Sequence, residues 1–179
     1  MSIGNRSDAL GTNAVALGSN ASGDGTNAVA IGRAANVAGN NSVALGAEAD
    51  VAGNNAFAMG FQAIALGNQS VAIGTRSQSN GVEAVTIGFE ASASGGRSTA
   101  IGTSAIASGG NSLAVGRDSN ASFSNSAAFG FGATTTLANQ YVFGTSTVTY
   151  VLPGLTSACL LYTSPSPRDA TLSRMPSSA

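Results

Sequence analysis

Asn27-Ala28-Val29-Ala30-Ile31-Gly32 is followed, fourteen residues on, by Asn41-Ser42-Val43-Ala44-Leu45-Gly46, and both are preceded by Asn13-Ala14-Val15-Ala16-Leu17-Gly18. The spacing holds without a slip: Gly4, Gly18, Gly32, Gly46, Gly60, Gly74, Gly88, Gly102, Gly116, Gly130 and Gly144 all lie in one column. A second glycine stands seven residues after each of the first eight, from Gly11 to Gly109; Phe123 and Leu137 take its place in the next two repeats. A fixed short period is the mark of a chain built from one stacked supersecondary unit.

Within the unit, Val-Ala-Leu or Val-Ala-Ile is a β-prone triplet whose alternate residues face opposite ways. Three residues after the main glycine comes a second alternating step, Ala35 then Val37 or Ala49 then Val51. Each repeat therefore contains two short strands. Glycine and Asn-Asn or Gly-Asn pairs at the corners are read as the source of the positive φ that tight turns require. Helix is excluded on energy, since an interior glycine costs about 1 kcal/mol and one recurs every half-repeat. The expected fold is an all-β parallel solenoid of about ten coils, its equivalent strands stacked about 4.8 Å apart. The bulky Val and Leu/Ile columns are expected to face a thin interior. The alanines between them (Ala16, Ala30, Ala44, Ala58, Ala72, Ala100 and Ala114) are then expected to point outward as a flat stripe on which copies of the chain pack.

Composition narrows function by exclusion. The chain has 179 residues, 24 glycines, 43% hydrophobic but only 8% charged residues, no His, no Trp and a single cysteine, Cys159. A His-based triad, a His general base and a clustered His/Cys zinc site are not available within one chain, and neither is a disulfide framework. A net charge of −1 offers no electrostatic footprint for nucleic acid. Glu48 and Asp50 lie two residues apart and form the one candidate carboxylate pair, read here as a solvated turn. No cofactor, metal or catalytic residue is expected. Arg33, Arg76, Arg97 and Arg117 fall near turns, where they could pair between chains or meet an anionic partner. Phe57, Phe61, Phe89, Phe123, Phe129, Phe131, Tyr141 and Phe143 thicken toward the C-terminus and are expected to fill the core of the last coils; any that is exposed becomes a candidate anchor for a partner.

The units NAVALG (13–18), NAVAIG (27–32), NSVALG (41–46), QSVAIG (69–74), EAVTIG (83–88) and NSLAVG (111–116) resemble the head repeats of trimeric autotransporter adhesins, the Yersinia-adhesin-like heads of Gram-negative bacteria. The likeness covers residues 2–144. It implies a left-handed parallel β-roll, three chains to a head, carried on a stalk above an outer-membrane anchor. It implies adhesion to host matrix, to cells or to other bacteria as the function, with a second and third copy of the chain as partners. The alternative is a structural spacer or phage-fibre segment with no ligand of its own.

Residues 1–144 are thus read as head repeats. Residues 145–158, Thr-rich and closed by Val151-Leu152-Pro153-Gly154-Leu155, are read as a capping strand or neck-like segment that covers the last coil's edge. Met1 falls inside a repeat, and neither a secretion signal nor an anchor is visible, so the chain is read as a fragment. Residues 159–179, CLLYTSPSPRDATLSRMPSSA, resemble the translation of a transposase sequencing adapter and are set aside as a non-native tail.

Overall fold

A computed structural model describes residues 1–149; the calls on residues 150–158 and on the tail from Cys159 onward lie outside the described residues. Two parallel sheets run the length of the repeats. The three-residue triplets, among them Val15–Leu17, Val29–Ile31 and Val43–Leu45, stack into an eleven-stranded sheet that starts at Ser2–Ile3 and ends at Tyr141–Phe143. The two-residue steps, from Asp8–Ala9 through Asn36–Val37 and Asp50–Val51 to Asn120–Ala121, form a nine-stranded sheet. No helix occurs among the described residues. Pairing is in strict register with the repeat: Val29 faces Val43, Ala30 faces Ala44 and Ile31 faces Leu45. The parallel β-solenoid of about ten coils read from the period is the fold observed.

The two glycine columns are needed for different reasons. At the main column the backbone itself demands glycine: Gly32 has φ +139° and Gly60 φ +139°, a region essentially closed to other residues. The second column has ordinary φ. There the demand is space, because a Cβ on Gly53 would sit 2.0 Å from the Gly67 carbonyl oxygen of the next coil. The left-handed turn positions are held by other residues, Asn27 (φ 57°), Asn41 (φ 55°) and Asn55 (φ 55°) at one corner, Ala34 (φ 54°) and Glu48 (φ 60°) at the other. Asparagine tolerates this region better than most residues, which accounts for its recurrence five residues before most of the main glycines, Gln69, Glu83 and Arg97 taking its place in three coils. Phe123 and Leu137 stand where the second glycine is missing, and there the smaller sheet stops. Among the described residues only an isolated bridge, Asn120 to Thr134, follows. Thr145 to Thr149, expected to be strand-forming, carry no strand.

The interior reverses one expectation. Ala16, Ala30, Ala44, Ala58, Ala72, Ala100 and Ala114 are all 0% exposed and lie inside the coil. Val29 and its column are half-buried, and the column at Ile31 (39% exposed), Met59, Ile87 and Ile101 faces out. The cause is the narrowness of the coil. Three plus two strand residues with tight corners bring the sheets so close that the interior admits methyl and hydroxymethyl groups. Its largest fully buried side chains are Val37, Val51, Thr86 and Thr135, and nearly all the others are Ala or Ser. Among the described residues most buried hydroxyls are satisfied locally, Ser70 and Ser112 Oγ being without a partner. Ser42 Oγ donates to the Gly53 carbonyl at 2.8 Å and Thr86 Oγ1 to the Gln78 carbonyl at 3.0 Å.

These sterics give a paired expectation. Gly53→Ala should lower unfolding free energy by on the order of 3 kcal/mol, because the clashing atom is backbone and cannot move aside. Gly23→Ala, whose Cβ would meet nothing closer than the Val15 carbonyl oxygen at 3.4 Å, should be neutral or stabilise by about 0.5 kcal/mol. Denaturant unfolding followed by circular dichroism distinguishes the two; equal losses would contradict the stacking argument.

Candidate interaction surface

Because the interior accepts only small groups, the larger apolar side chains of each triplet are displaced to the outside. They align in two columns on the outer face of the eleven-stranded sheet: Val29, Val43, Val71 and Val85 in one, Ile31, Leu45, Ile73 and Ile87 in the other. On a strand spacing of about 4.8 Å the face is a continuous apolar strip nearly 50 Å long. The outer face of the nine-stranded sheet differs. It carries Ser22, Asn36, Asp50, Gln78 and Ser92, with Ile64 and Ile106 interspersed. An extended apolar strip on one face and a polar one on the other mark the first as a contact surface. The seven alanines expected to form that surface are buried within their own chain and have no side chain to offer a neighbour. The aromatics expected in the core are also outside it. Phe61, Phe89, Phe123, Phe131, Tyr141 and Phe143 are 41–69% exposed, and Phe57 and Phe129 are half-buried on the outer face. Phe129 and Phe143 stack on that face with centroids 5.0 Å apart.

The two corners carry ladders. At one, Asn13 donates to Asn27 and Asn27 to Asn41, at 3.1 and 2.8 Å between side chains. Beside them the Thr26, Asn40 and Asn54 amides donate to Asn40, Asn54 and Asn68 at 2.8–2.9 Å. At the other corner a charged ladder crosses five coils. Arg33 pairs with Glu48, Gln62 donates to Glu48 at 2.8 Å, Arg76 reaches Gln62 at 3.4 Å and pairs with Glu90 at 2.9 Å. Arg33, Arg76 and Arg117 thus find partners in their own chain, Arg117 with Asp118 at 3.5 Å, and among the described residues no carboxylate pairs with Arg97. This ladder was missed in the sequence. Its signal was present, because the second residue after the main glycine runs Glu48, Gln62, Arg76, Glu90.

Glu48 and Asp50 border an open depression of about 340 Å³ with Gln62, Ile64, Arg76 and Gln78. Each carboxylate is occupied, Asp50 by the Asn36 amide at 2.7 Å. Hydrogen bonds from Gln62 and Arg33 hold the Glu48 carboxyl below its ordinary value, opposite to the raised pKa of a general acid. Among the described residues no group of three or more His, Cys, Asp or Glu is placed to hold a metal ion. Among the described residues the arrangement is a long surface of aligned apolar columns and side-chain ladders.

The family model described as the YadA head domain repeat matches residues 1–21, 24–49, 52–77, 79–105 and 107–133. Among solved structures, the chain is similar to the collagen-binding domain of the Yersinia adhesin YadA, with 26% identity, 86% of this chain and 74% of that chain covered and a TM-score of 0.41. No curated protein matches the chain.

The Glu48 contacts predict a pH effect. A carboxyl whose pKa is lowered on folding stabilises the fold above its unfolded value, and that contribution is lost as pH falls through the folded value. Glu48→Gln should therefore unfold at a lower temperature than the parent at neutral pH, with the two midpoints converging below the ordinary carboxylate range. A gap unchanged across that range, measured by thermal unfolding, would contradict the ladder.

Proposed function

The chain belongs to the YadA head domain repeat family, and on that premise we propose that it acts as the head of a bacterial surface adhesin, assembled as a homotrimer. The observation that carries the reading is the strip of Val and Ile, Leu or Met side chains on the outer face of the eleven-stranded sheet. Fully covering such a side chain contributes roughly 1.5–3 kcal/mol. Covering the exposed remainder on every coil exceeds the roughly 4–15 kcal/mol cost of association. Three-fold packing of this face about a common axis covers it in every copy at once.

The trimer then presents its polar sheets and corners outward, and each surface feature recurs in every copy. Weak contacts repeated in this way add by avidity, which suits attachment to a repetitive ligand such as extracellular matrix or a cell surface. The head is held at the outer membrane by the anchor that the family's proteins carry. Collagen, which the Yersinia relative's domain binds, is the first matrix protein to test.

Light scattering should give a mass three times that of the chain. Val71→Asp with Ile73→Asp should yield folded single chains, since both side chains face out. Ala72→Asp should instead unfold the chain, because a buried carboxylate without a partner costs several kcal/mol against a total stability of about 5–15 kcal/mol. The parental trimer should be retained on immobilised collagen or another matrix protein. A parental monomer would overturn the assembly, and a trimer that adheres to neither matrix nor cells would overturn the adhesive function.

A further inference from the structure

The residue directly after each second-column glycine stands at the corner where the chain returns from the nine-stranded sheet to the eleven-stranded one. In the earlier coils its N–H has a partner. The Thr26, Asn40 and Asn54 amides donate to the Oδ1 atoms of Asn40, Asn54 and Asn68, one coil on, at 2.8, 2.9 and 2.9 Å. These N–H groups therefore point along the solenoid, and each side-chain carbonyl sits in a seat on the backbone of the coil before it. Beyond Asn68 the column reads Val82, Gly96, Gly110, and none of these side chains carries an acceptor. Among the described residues the Val82 and Gly96 N–H groups meet no protein acceptor.

Both of these seats are sterically open. A Cβ on Gly96 would meet nothing nearer than the Val82 carbonyl oxygen at 4.0 Å, and one on Gly110 nothing nearer than Ser124 Oγ at 4.0 Å. The glycines just before them differ. A Cβ on Gly95 or Gly109 would fall 2.0 or 2.1 Å from a carbonyl oxygen of the next coil, so stacking demands glycine there. Nothing in the coil demands it at Gly96 or Gly110, whose φ lies outside the left-handed region. The two Gly-Gly pairs thus leave a notch at the corner tip. Each seat has one N–H at its base, and the seats lie one coil apart, about 4.8 Å.

The groups around the notch select the ligand. The group seated in the earlier coils is a carboxamide. A carboxylate has the same planar shape and a stronger acceptor oxygen. Arg97 directly follows Gly96 and is exposed. Unlike Arg33, Arg76 and Arg117, it enters no ion pair among the described residues. A carboxylate with one oxygen on the Val82 or Gly96 N–H keeps the other for the Arg97 guanidinium, and both bonds are charge-assisted. Asn111, one coil later in the Arg97 column, is engaged with Asn125 at 3.1 Å. Glu83, one coil earlier in that column, opposes an incoming anion and lowers the affinity the notch reaches. A tetrahedral sulfate fits a seat shaped for a planar group less well.

We propose that the notch from Val82 to Gly110 is a docking site for an acidic peptide segment of a partner protein. Its carboxylates take the seats that the Asn40, Asn54 and Asn68 side chains fill in earlier coils, and Arg97 supplies the counter-charge. This rests on the reading of the chain as a binding head and adds a site and a ligand class. Three notches per trimer let weak contacts with one partner add by avidity.

The test is fluorescence polarisation of a labelled peptide of about six aspartates, long enough when extended to reach both seats, against the full chain in its assembled state at low salt. Binding should saturate, and weaken as salt is raised. Gly96→Asn with Gly110→Asn fills both seats from within the chain, as Asn40 and Asn54 do earlier. It should weaken binding about tenfold, the loss of a charge-assisted hydrogen bond. The same double variant should raise the unfolding midpoint by about 2–4 °C, so its lost binding is not lost folding. Arg97→Gln should weaken binding about fivefold and Glu83→Gln strengthen it about twofold, the size of exposed charge effects. Solution mass should not change in any variant. The same peptide in asparagine should bind about fivefold less tightly. Absence of saturable binding, undiminished binding by the double glycine variant, or equal binding of the asparagine peptide would overturn the proposal. So would loss of the trimer in that variant, which would make the notch a contact between copies, or a heparin fragment that displaces the peptide from the same seats, which would make the ligand a sulfated polymer. Notch-dependent binding of the peptide by a head that adheres to no matrix protein or cell would uphold the site and overturn the adhesive reading.

Discussion

The coil's narrow interior governs the rest of the molecule. Fourteen residues that make two strands and two corners leave space between the sheets for Ala and Ser and, at Val37 and Val51, for valine. Such a core buries little apolar surface per residue, so one chain's stability cannot rest on large core side chains. It rests on repetition. Every coil adds in-register backbone pairing on two sheets, side-chain ladders at two corners and the same small contacts, in the nearly additive manner of stacked repeats.

The same narrowness sends the larger apolar residues outside. Val29, Ile31 and their equivalents cannot be accommodated within the coil and line one outer face. A solenoid with polar residues on both outer faces would be complete as a single chain; this one has an apolar face that needs covering. Repeat, thin interior and the proposed association are therefore linked. The glycine columns permit coils to stack at β-sheet spacing, the stacking fixes a thin coil, and the thin coil puts its hydrophobic residues where another copy can bury them. In the proposed trimer the surfaces that remain exposed are the polar sheet and the corners, where side chains vary from coil to coil.

Much of this was legible in the sequence. The glycine column and the Val-Ala-Leu triplets determined the period, both strands of each coil and the parallel register, because each is a local consequence of residue type. The sense of the triplet was not legible. Alternation states that Ala30 and its neighbours Val29 and Ile31 face opposite ways, and the usual preference for bulky residues inside chose the wrong side. Only the distance between the sheets decides it, and that distance depends on corner geometry. Phe61 and Phe89 were assigned to the core for the same reason. The charged ladder from Arg33 to Glu90 was hidden because its five members, of three residue types, become neighbours only through stacking. The two glycine columns look equivalent in sequence, yet φ at Gly60 and the carbonyl of Gly67 against Gly53 show two separate requirements.

The most direct test of this scheme is an isotope-filtered NMR experiment on trimers mixed from two differently labelled preparations of the chain, reading contacts between methyl groups of different copies. The Val29, Ile31, Val71 and Ile73 methyls should show contacts between copies, and the Ala30 and Ala72 methyls only contacts within their own chain. Contacts between copies from the alanines, with none from the valines and isoleucines, would contradict the thin-interior argument at its root.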